Sequence, residues 1–325
     1  MMTNDISVFL SKLMCYNRIL IAGHVSPDAD AIGSLLALGR FLSSKGKQVS
    51  LFVKDGCPDT CAFLEGSDSI SGELDADALG CELLLLTDCS DVSRTGCEAA
   101  LAGIKNKAVL DHHICHQEPE CSFGLVDPDA CSASILVYKL IKAANSQPDI
   151  STSEAILTGI AGDTGAFRFS NTTSEVLTVA ADLTERGARL HAVIKEYFLS
   201  RPVRVVRLLG KVLSGLRFYC DDKVAVAVVP HEDFDGINKT DLEGINTEIN
   251  SIRDLRLSIL LREEEKGSFR CSLRSDGYVD CSRLAAVFGG GGHKNAAGCT
   301  LKRASSEDAV GDIMKEVANW KASFV

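Results

Sequence analysis

The sequence has no apolar run approaching the ~20 residues needed to span a bilayer, and this argues against a membrane-embedded protein. It has no Cys-x-x-Cys pair, so a zinc ribbon or a thioredoxin-type redox site is excluded. It shows no internal repeat, and Gly289–Gly292 is its one low-complexity tract. Nor does it carry an excess of basic charge: 34 Lys and Arg face 44 Asp and Glu, a formal net charge of −10, which repels bulk polyanions and argues against a genome-coating protein. The segment Met1–Arg18 mixes Asp5, Lys12 and Arg18 with apolar residues at helical spacing, so no secretory leader is expected there. The 13 cysteines are odd in number and scattered through apolar runs, which reads as small buried hydrophobes in a reducing compartment. The expected location is the cytoplasm, with no membrane partner.

What is present is the composition of an ordinary globular chain, 46% hydrophobic and 24% charged over 325 residues. At roughly 150 residues per domain, two domains are expected. In the first half, continuous apolar strands at Arg18–Ala22, Val49–Val53, Leu83–Thr87 and Ala108–Leu110 alternate with a helix at Ala31–Ser44. Strands apolar on both faces and separated by helices predict a parallel sheet covered on both sides. Helical patterns follow at Cys131–Asn145, Ser153–Ile160, Ser174–Arg186 and Leu190–Leu213, the last broken by Arg201-Pro202. From Leu216 the pattern changes to strands at Leu216–Tyr219, Val224–Val229, Leu257–Arg262 and Phe269–Leu273, with helices near Leu242–Ser251 and from Ser306. The fold class is therefore α/β. A parallel-sheet domain over residues 1–188 is joined by a helical linker, 189–214, to a smaller α/β domain over 215–325, with a cleft between them.

Acidic and histidine residues recur just past the ends of the predicted strands, where open parallel sheets place their sites. The first strand is followed by His24-Val25-Ser26-Pro27-Asp28-Ala29-Asp30, the third by Asp88, the fourth by Asp111-His112-His113, and Asp163 ends a helix in Gly162-Asp163-Thr164-Gly165. Taken singly, Asp28 or Asp30 is a helix N-cap, Asp88 a turn residue and His112 a core histidine. Together, two aspartates on a tight turn behind a histidine repel one another unless something positive binds. Oxygen and nitrogen donors without thiolate suit manganese or a similar divalent ion, and a carboxylate shared by two ions is the arrangement of two-metal phosphoryl hydrolysis. Cys89, beside Asp88, reads as packing.

These four motifs, in this order, resemble the DHH phosphoesterase family, named for the triplet that stands here as Asp111-His112-His113. In the second half, Phe288-Gly289-Gly290-Gly291-Gly292-His293-Lys294-Asn295-Ala296-Ala297-Gly298 is similar to the substrate domain, DHHA1, associated with it. The resemblance implies two divalent ions, manganese first with magnesium or cobalt as alternatives. One would be held by His24, Asp28 and Asp88, the other by Asp30, Asp88, His112 and Asp163, with Asp88 bridging. Hydroxide generated between the ions would attack phosphorus in line. His113 would stabilise transition-state charge or protonate the leaving oxygen.

The short two-domain layout with a four-glycine loop implies the branch of the family that degrades short oligoribonucleotides to nucleoside 5′-monophosphates and removes the 3′-phosphate of 3′-phosphoadenosine 5′-phosphate (pAp). Linear or cyclic dinucleotide phosphodiesterases and RecJ-like single-strand exonucleases are the alternatives, although RecJ-type enzymes normally carry a further oligonucleotide-binding fold. Family II pyrophosphatases share the first four motifs but not the glycine loop. A homodimer is compatible with the resemblance. On physical grounds a glycine run exposes backbone N–H groups to a phosphate. Gly290, Gly291 and Gly292, with His293 and Arg274, are therefore expected to hold substrate. Where relatives often carry a polar or basic residue after Gly165, this chain has Ala166, so Arg168 is expected to supply the local phosphate contact.

Overall fold

The computed structural model describes residues 2–320 apart from residues 4, 115–119, 235–242 and 276. The chain forms two compact units, Met1–Ser200 and Arg201–Val325. The segment read as a linker is shared between them: a helix at Leu190–Ile194 and a π-helical turn at Lys195–Leu199 belong to the first, while Val203–Ser214, N-capped by Pro202, belongs to the second. Proline lacks the N–H that a helix interior requires, so the pattern that runs on as one helix in sequence restarts there.

The first unit is built on seven strands: β1 (Met2–Thr3), β2 (Arg18–Ala22), β3 (Gln48–Phe52), β4 (Ile70–Ser71), β5 (Leu83–Thr87), β6 (Lys107–Asp111) and β7 (Phe123–Val126). Their order is β1-β7-β6-β5-β2-β3-β4 and every pairing is parallel. Alternate side chains feed two cores. Ile19, Ile21, Leu83, Leu85, Ala108 and Leu110 face the long helices Ala29–Ser44, Ala133–Ala143 and Ile150–Asp163. Leu20, Ala22, Leu84, Leu86 and Val109 face the short helices Ala76–Leu79 and Glu98–Leu101. Sequence periodicity did not reveal β7, whose Phe-Gly-Leu-Val core is too short to show a period, or the two-residue edge strands β1 and β4.

The strand order has a functional consequence. From β2 the chain builds outward through β3 and β4, then returns to lay β5 against the other side of β2. The turns after β2 and β5 therefore diverge around a topological switch point, where open parallel sheets leave a crevice at their C-terminal ends. His24 follows β2, Asp88 follows β5, and Asp111 ends β6 next door.

The second unit is a six-stranded sheet, β8 (Arg217–Tyr219), β9 (Val224–Val229), β10 (Leu257–Glu265), β11 (Ser268–Arg274), β12 (Gly291–Gly292) and β13 (Ala296–Lys302), ordered β12-β13-β11-β10-β9-β8. Only β9 and β10 run parallel. Helices Cys281–Val287 and Ser306–Ala318 cover one face, and Val203–Ser214 and Glu243–Asn250 the other. Leu242, where the sequence pattern begins that last helix, lies outside the described residues. Strand β13 is another difference, because Ala-Ala-Gly-Cys has little intrinsic strand preference and extends here by pairing with β11.

Candidate metal centre and substrate loop

Two helices fix the acidic residues. Asp28 caps Ala29–Ser44, its Oδ1 accepting from the amides of Asp30 and Ala31, each at 3.0 Å. Asp30, fully buried in the first turn of that helix, accepts from the amides of Ala133 (2.5 Å) and Ser134 (2.9 Å) at the start of the next long helix. That helix N-terminus supplies the partial positive charge a buried carboxylate needs. Asp163 is brought alongside by a close helix crossing in which a Cβ on Gly33 or Gly162 would strike the opposite helix and one on Gly159 would strike both Asp30 and Ser134 of the neighbouring helix Ala133–Ala143. Asp88 sits in a left-handed backbone conformation, φ 58°, a local strain of the kind that concentrates at functional sites.

The predicted ligands converge. His24, Asp28 and Asp88 present donor atoms within 4.8 Å of one another, as do Asp30, His112 and Asp163, and as do Asp88, His112 and His113. His112 Nε2 lies 3.1 Å from Asp163 Oδ2, 3.4 Å from Asp88 Oδ1 and 3.8 Å from Asp30 Oδ2, and His24 Nε2 lies 3.4 Å from Asp88 Oδ2. Both rings turn Nδ1 to a backbone carbonyl, Val25 O at 2.9 Å for His24 and Ala130 O at 3.3 Å for His112. A proton on Nδ1 leaves the Nε2 lone pair aimed into the cluster, the tautomer a metal ligand requires. Asp88 Oδ1 is buried without a hydrogen-bond donor, an acceptor left for a cation.

The electrostatics point the same way. Burial pushes the carboxyl groups of Asp28 and Asp30 up, and the Asp88 charge pushes them further. Burial likewise lifts Asp163 to about 6 despite its contact with His112. Burial opposes protonation of His112, but its contacts with Asp163 and Asp88 outweigh that and push it up to about 12. His24 rises to about 9 for the same reasons, with Asp88 its main partner. Burial would also raise Asp88, yet the two imidazoles hold it at about 2. A cluster that holds protons on its imidazoles to balance its carboxylates would exchange those protons for metal on binding it.

The first residue of the triplet has a function that sequence reasoning did not assign. Asp111, almost fully buried, accepts from the amides of His112 (2.8 Å) and His113 (3.1 Å) and from His113 Nδ1 (2.8 Å), and takes the Ser90 hydroxyl on its other oxygen. It orients His113, whose side chain is half exposed on the rim. After Asp163, residues Gly165, Ala166 and Phe167 are all left-handed, and Arg168 is exposed with Nε donating to Gly165 O at 2.5 Å. Ala166 contributes no polar group there, so Arg168 is the cationic side chain of this turn.

In the second unit, Arg274 ends β11 opposite Ala296, and the turn His293–Ala296 is closed by His293 N donating to Ala296 O at 2.7 Å. The glycine run is tied down more than a phosphate cradle of open amides would be. Gly289 and Gly290 donate to Ala286 O and Ala285 O, and a Cβ on Gly290 would overlap Gly298 O and Cys299. Gly290 is thus needed for packing, and Gly292 likewise, with φ 143° and Ala296 O 2.6 Å from where its Cβ would stand. A Cβ on Gly291 would meet nothing within 4 Å. Gly290→Ala should therefore lower the melting temperature, whereas Gly291→Ala should fold normally and raise KM severalfold; thermal melts and steady-state kinetics on the two variants check this.

The family model "DHH family, N-terminal domain" matches residues 18–161, and "DHHA1 domain" matches 221–322. A curated relative from Thermus thermophilus, "Bifunctional oligoribonuclease and PAP phosphatase NrnA", is 34% identical over 92% of this chain and 89% of that protein. The chain belongs to the DHH family. Among solved structures, an exopolyphosphatase-related protein from Bacteroides fragilis superposes with a TM-score of 0.90 at 29% identity, covering 98% of this chain and 97% of that one. RecJ from Thermus thermophilus, in complex with Mn2+, shares the fold at a TM-score of 0.57 and 16% identity, covering 98% of this chain and 54% of that one. This DHH chain is accordingly a hydrolase of phosphate esters, with acidic and histidine groups placed to bind metal.

Proposed function

We propose that this chain hydrolyses short oligoribonucleotides to nucleoside 5′-monophosphates and dephosphorylates pAp, using two divalent cations, manganese first and magnesium or cobalt as substitutes. The observation that carries the reading is the position of Asp88, a buried carboxylate 3.4 Å from both His24 and His112 and shared by two of the three candidate ligand groups, with one oxygen lacking a donor. The similarity to the Thermus thermophilus oligoribonuclease and PAP phosphatase over nearly the whole chain supports the substrate class. His24, Asp28 and Asp88 would hold one cation, and Asp30, Asp88, His112 and Asp163 the other. Such a pair supplies Lewis-acid charge and acidifies water toward neutral pH. No helix among the described residues is long and apolar enough to cross a membrane, and the cysteine usage supports a reducing, cytoplasmic setting.

The chain's own residues do the rest. Asp111 holds His113 at the rim, where its imidazole can donate to the charge developing on a phosphoryl oxygen or to the departing alkoxide. Arg168, Arg274 and His293 grip phosphate by charge-assisted hydrogen bonds, with Gly291 and Gly292 leaving room for it and Gly290 packed behind them. His113→Ala should keep its metal content while losing turnover about a hundredfold, the usual cost of removing a transition-state donor. Metal analysis alongside turnover on the same preparation checks this; near-normal turnover would leave His113 a structural neighbour.

The reading itself is tested by challenging the protein, with manganese, magnesium or cobalt, in parallel with RNA dimers to pentamers, pAp, pyrophosphate, a cyclic dinucleotide and long single-stranded DNA. Hydrolysis of the shortest RNAs and of pAp, fading as chains lengthen, is expected, because a chain with net charge −10 has little long-range attraction for polyanions. Faster loss of long DNA, or cleavage confined to pyrophosphate or the cyclic dinucleotide, would overturn it.

A further inference from the structure

Aromatic residues make up only 6% of the chain, and among the described residues three of them stand strongly exposed: Phe169, Phe218 and Tyr278. Tyr278, at 57% exposure, lies in the connection from β11 to the helix Cys281–Val287. That connection is clamped to the His293–Ala296 turn at both ends. Ser275 N donates to Asn295 O at 2.9 Å, and Cys281 N donates to Lys294 O at 2.8 Å. Within it, Ser275 Oγ accepts from Val279 N at 3.0 Å, and Val279 is buried in the core while Tyr278 beside it faces outward.

The ring is also held from one side. The Arg256 guanidinium carbon lies 4.5 Å from its centroid, a cation–π contact that fixes the ring and occupies one face. Three residues separate Tyr278 from Arg274, and the turn to which this connection is tied carries His293. An exposed, backed aromatic in a connection tied to the turn that carries His293, one of the proposed phosphate-gripping groups, has the makings of a base-stacking surface. Every base has a π-face, so such a surface tolerates sequence while demanding that a base be present.

We propose that Tyr278, braced by Arg256, is the stacking platform for the nucleobase of the nucleotide whose phosphate Arg274 and His293 grip, and that it sets the preference for nucleotides over base-free phosphates. The proposal rests on the reading of the substrate given above. Tyr278 binds the base away from the reacting phosphate, so its loss acts on KM and leaves kcat largely intact.

The test compares pAp and a diadenosine dinucleotide with ribose 3,5-bisphosphate, which offers the same phosphates without a base. Tyr278→Ala and Tyr278→Leu should raise KM for the two nucleotides roughly tenfold, in keeping with the measured worth of base–aromatic stacking. Tyr278→Phe, which keeps the ring, should restore affinity, and the base-free substrate should be affected far less. Equal losses on nucleotides and ribose bisphosphate, or no change on nucleotides, would overturn the platform while leaving the enzyme's substrate class standing. If the wild-type protein hydrolyses neither pAp nor the dinucleotide, the substrate class falls, and the platform with it.

Discussion

Asp88→Ala is expected to abolish turnover and to strip more metal from the protein than any other single ligand change. Asp88 belongs to two of the three candidate ligand groups, and its carboxylate lies 3.4 Å from both His24, of the first proposed site, and His112, of the second. Losing the charge that a two-cation centre places on a reacting phosphate costs several kcal/mol of transition-state stabilisation, hence roughly a thousandfold or more in rate. Alanine has a second effect, because Asp88 is left-handed and a Cβ without a polar side chain is disfavoured there by about 1–2 kcal/mol. Asp88→Asn separates the two effects. Asparagine tolerates the left-handed region and keeps the volume while removing the charge, so it should melt like the wild type and still fail to hold metal. Elemental analysis and thermal melts on both variants decide the matter, and an Asn variant that kept both metals would rule out Asp88 as the shared ligand.

Much of this centre was legible in the sequence because its ligands follow strand ends. His24, Asp88 and Asp111 each stop a continuous apolar run, and a run apolar on both faces announces a buried parallel strand. What the runs do not reveal is their order in the sheet. That β5 lies between β2 and β6, so that three motifs 20 or more residues apart share one rim, comes from long-range pairing that no local period encodes. The role of Asp111 was hidden for a related reason. Its carboxylate works on the two residues after it and on Ser90, and only the fold shows that it points inward. The packing role within the glycine run was not legible, because exposed and packed glycines look alike in sequence. Gly290 is enclosed by the neighbouring strand and Gly291 is not, and that difference exists only once β13 is in place.

The close helix crossing behind Asp30 was equally hidden, and its disruption is the second large effect expected. A Cβ at Gly159 would overlap Ser134 Oγ and stand 2.5 Å from Asp30 Oδ1. Asp30 has no room to yield, being fully buried and held by the amides of Ala133 and Ser134. Helix propensity favours alanine over glycine by about 1 kcal/mol, but overpacking of this kind costs about 1–3 kcal/mol, and valine should cost more than alanine. Gly159→Val is therefore expected to lower the melting temperature by roughly 5–10 °C. Because the displaced group is Asp30, metal should be lost first from the cluster of Asp30, His112 and Asp163, while His24, Asp28 and Asp88 keep theirs. A compensating change separates packing from ligation. Ser134→Gly removes the hydroxyl and Cβ that obstruct alanine at 159 but leaves Asp30 Oδ1 in the way, so the Gly159→Ala, Ser134→Gly double variant should regain most of the lost thermal stability without regaining full metal content. If Gly159→Ala alone melted and bound metal like the wild type, the crossing would be looser than the structure places it, and glycine there would have no part in setting Asp30.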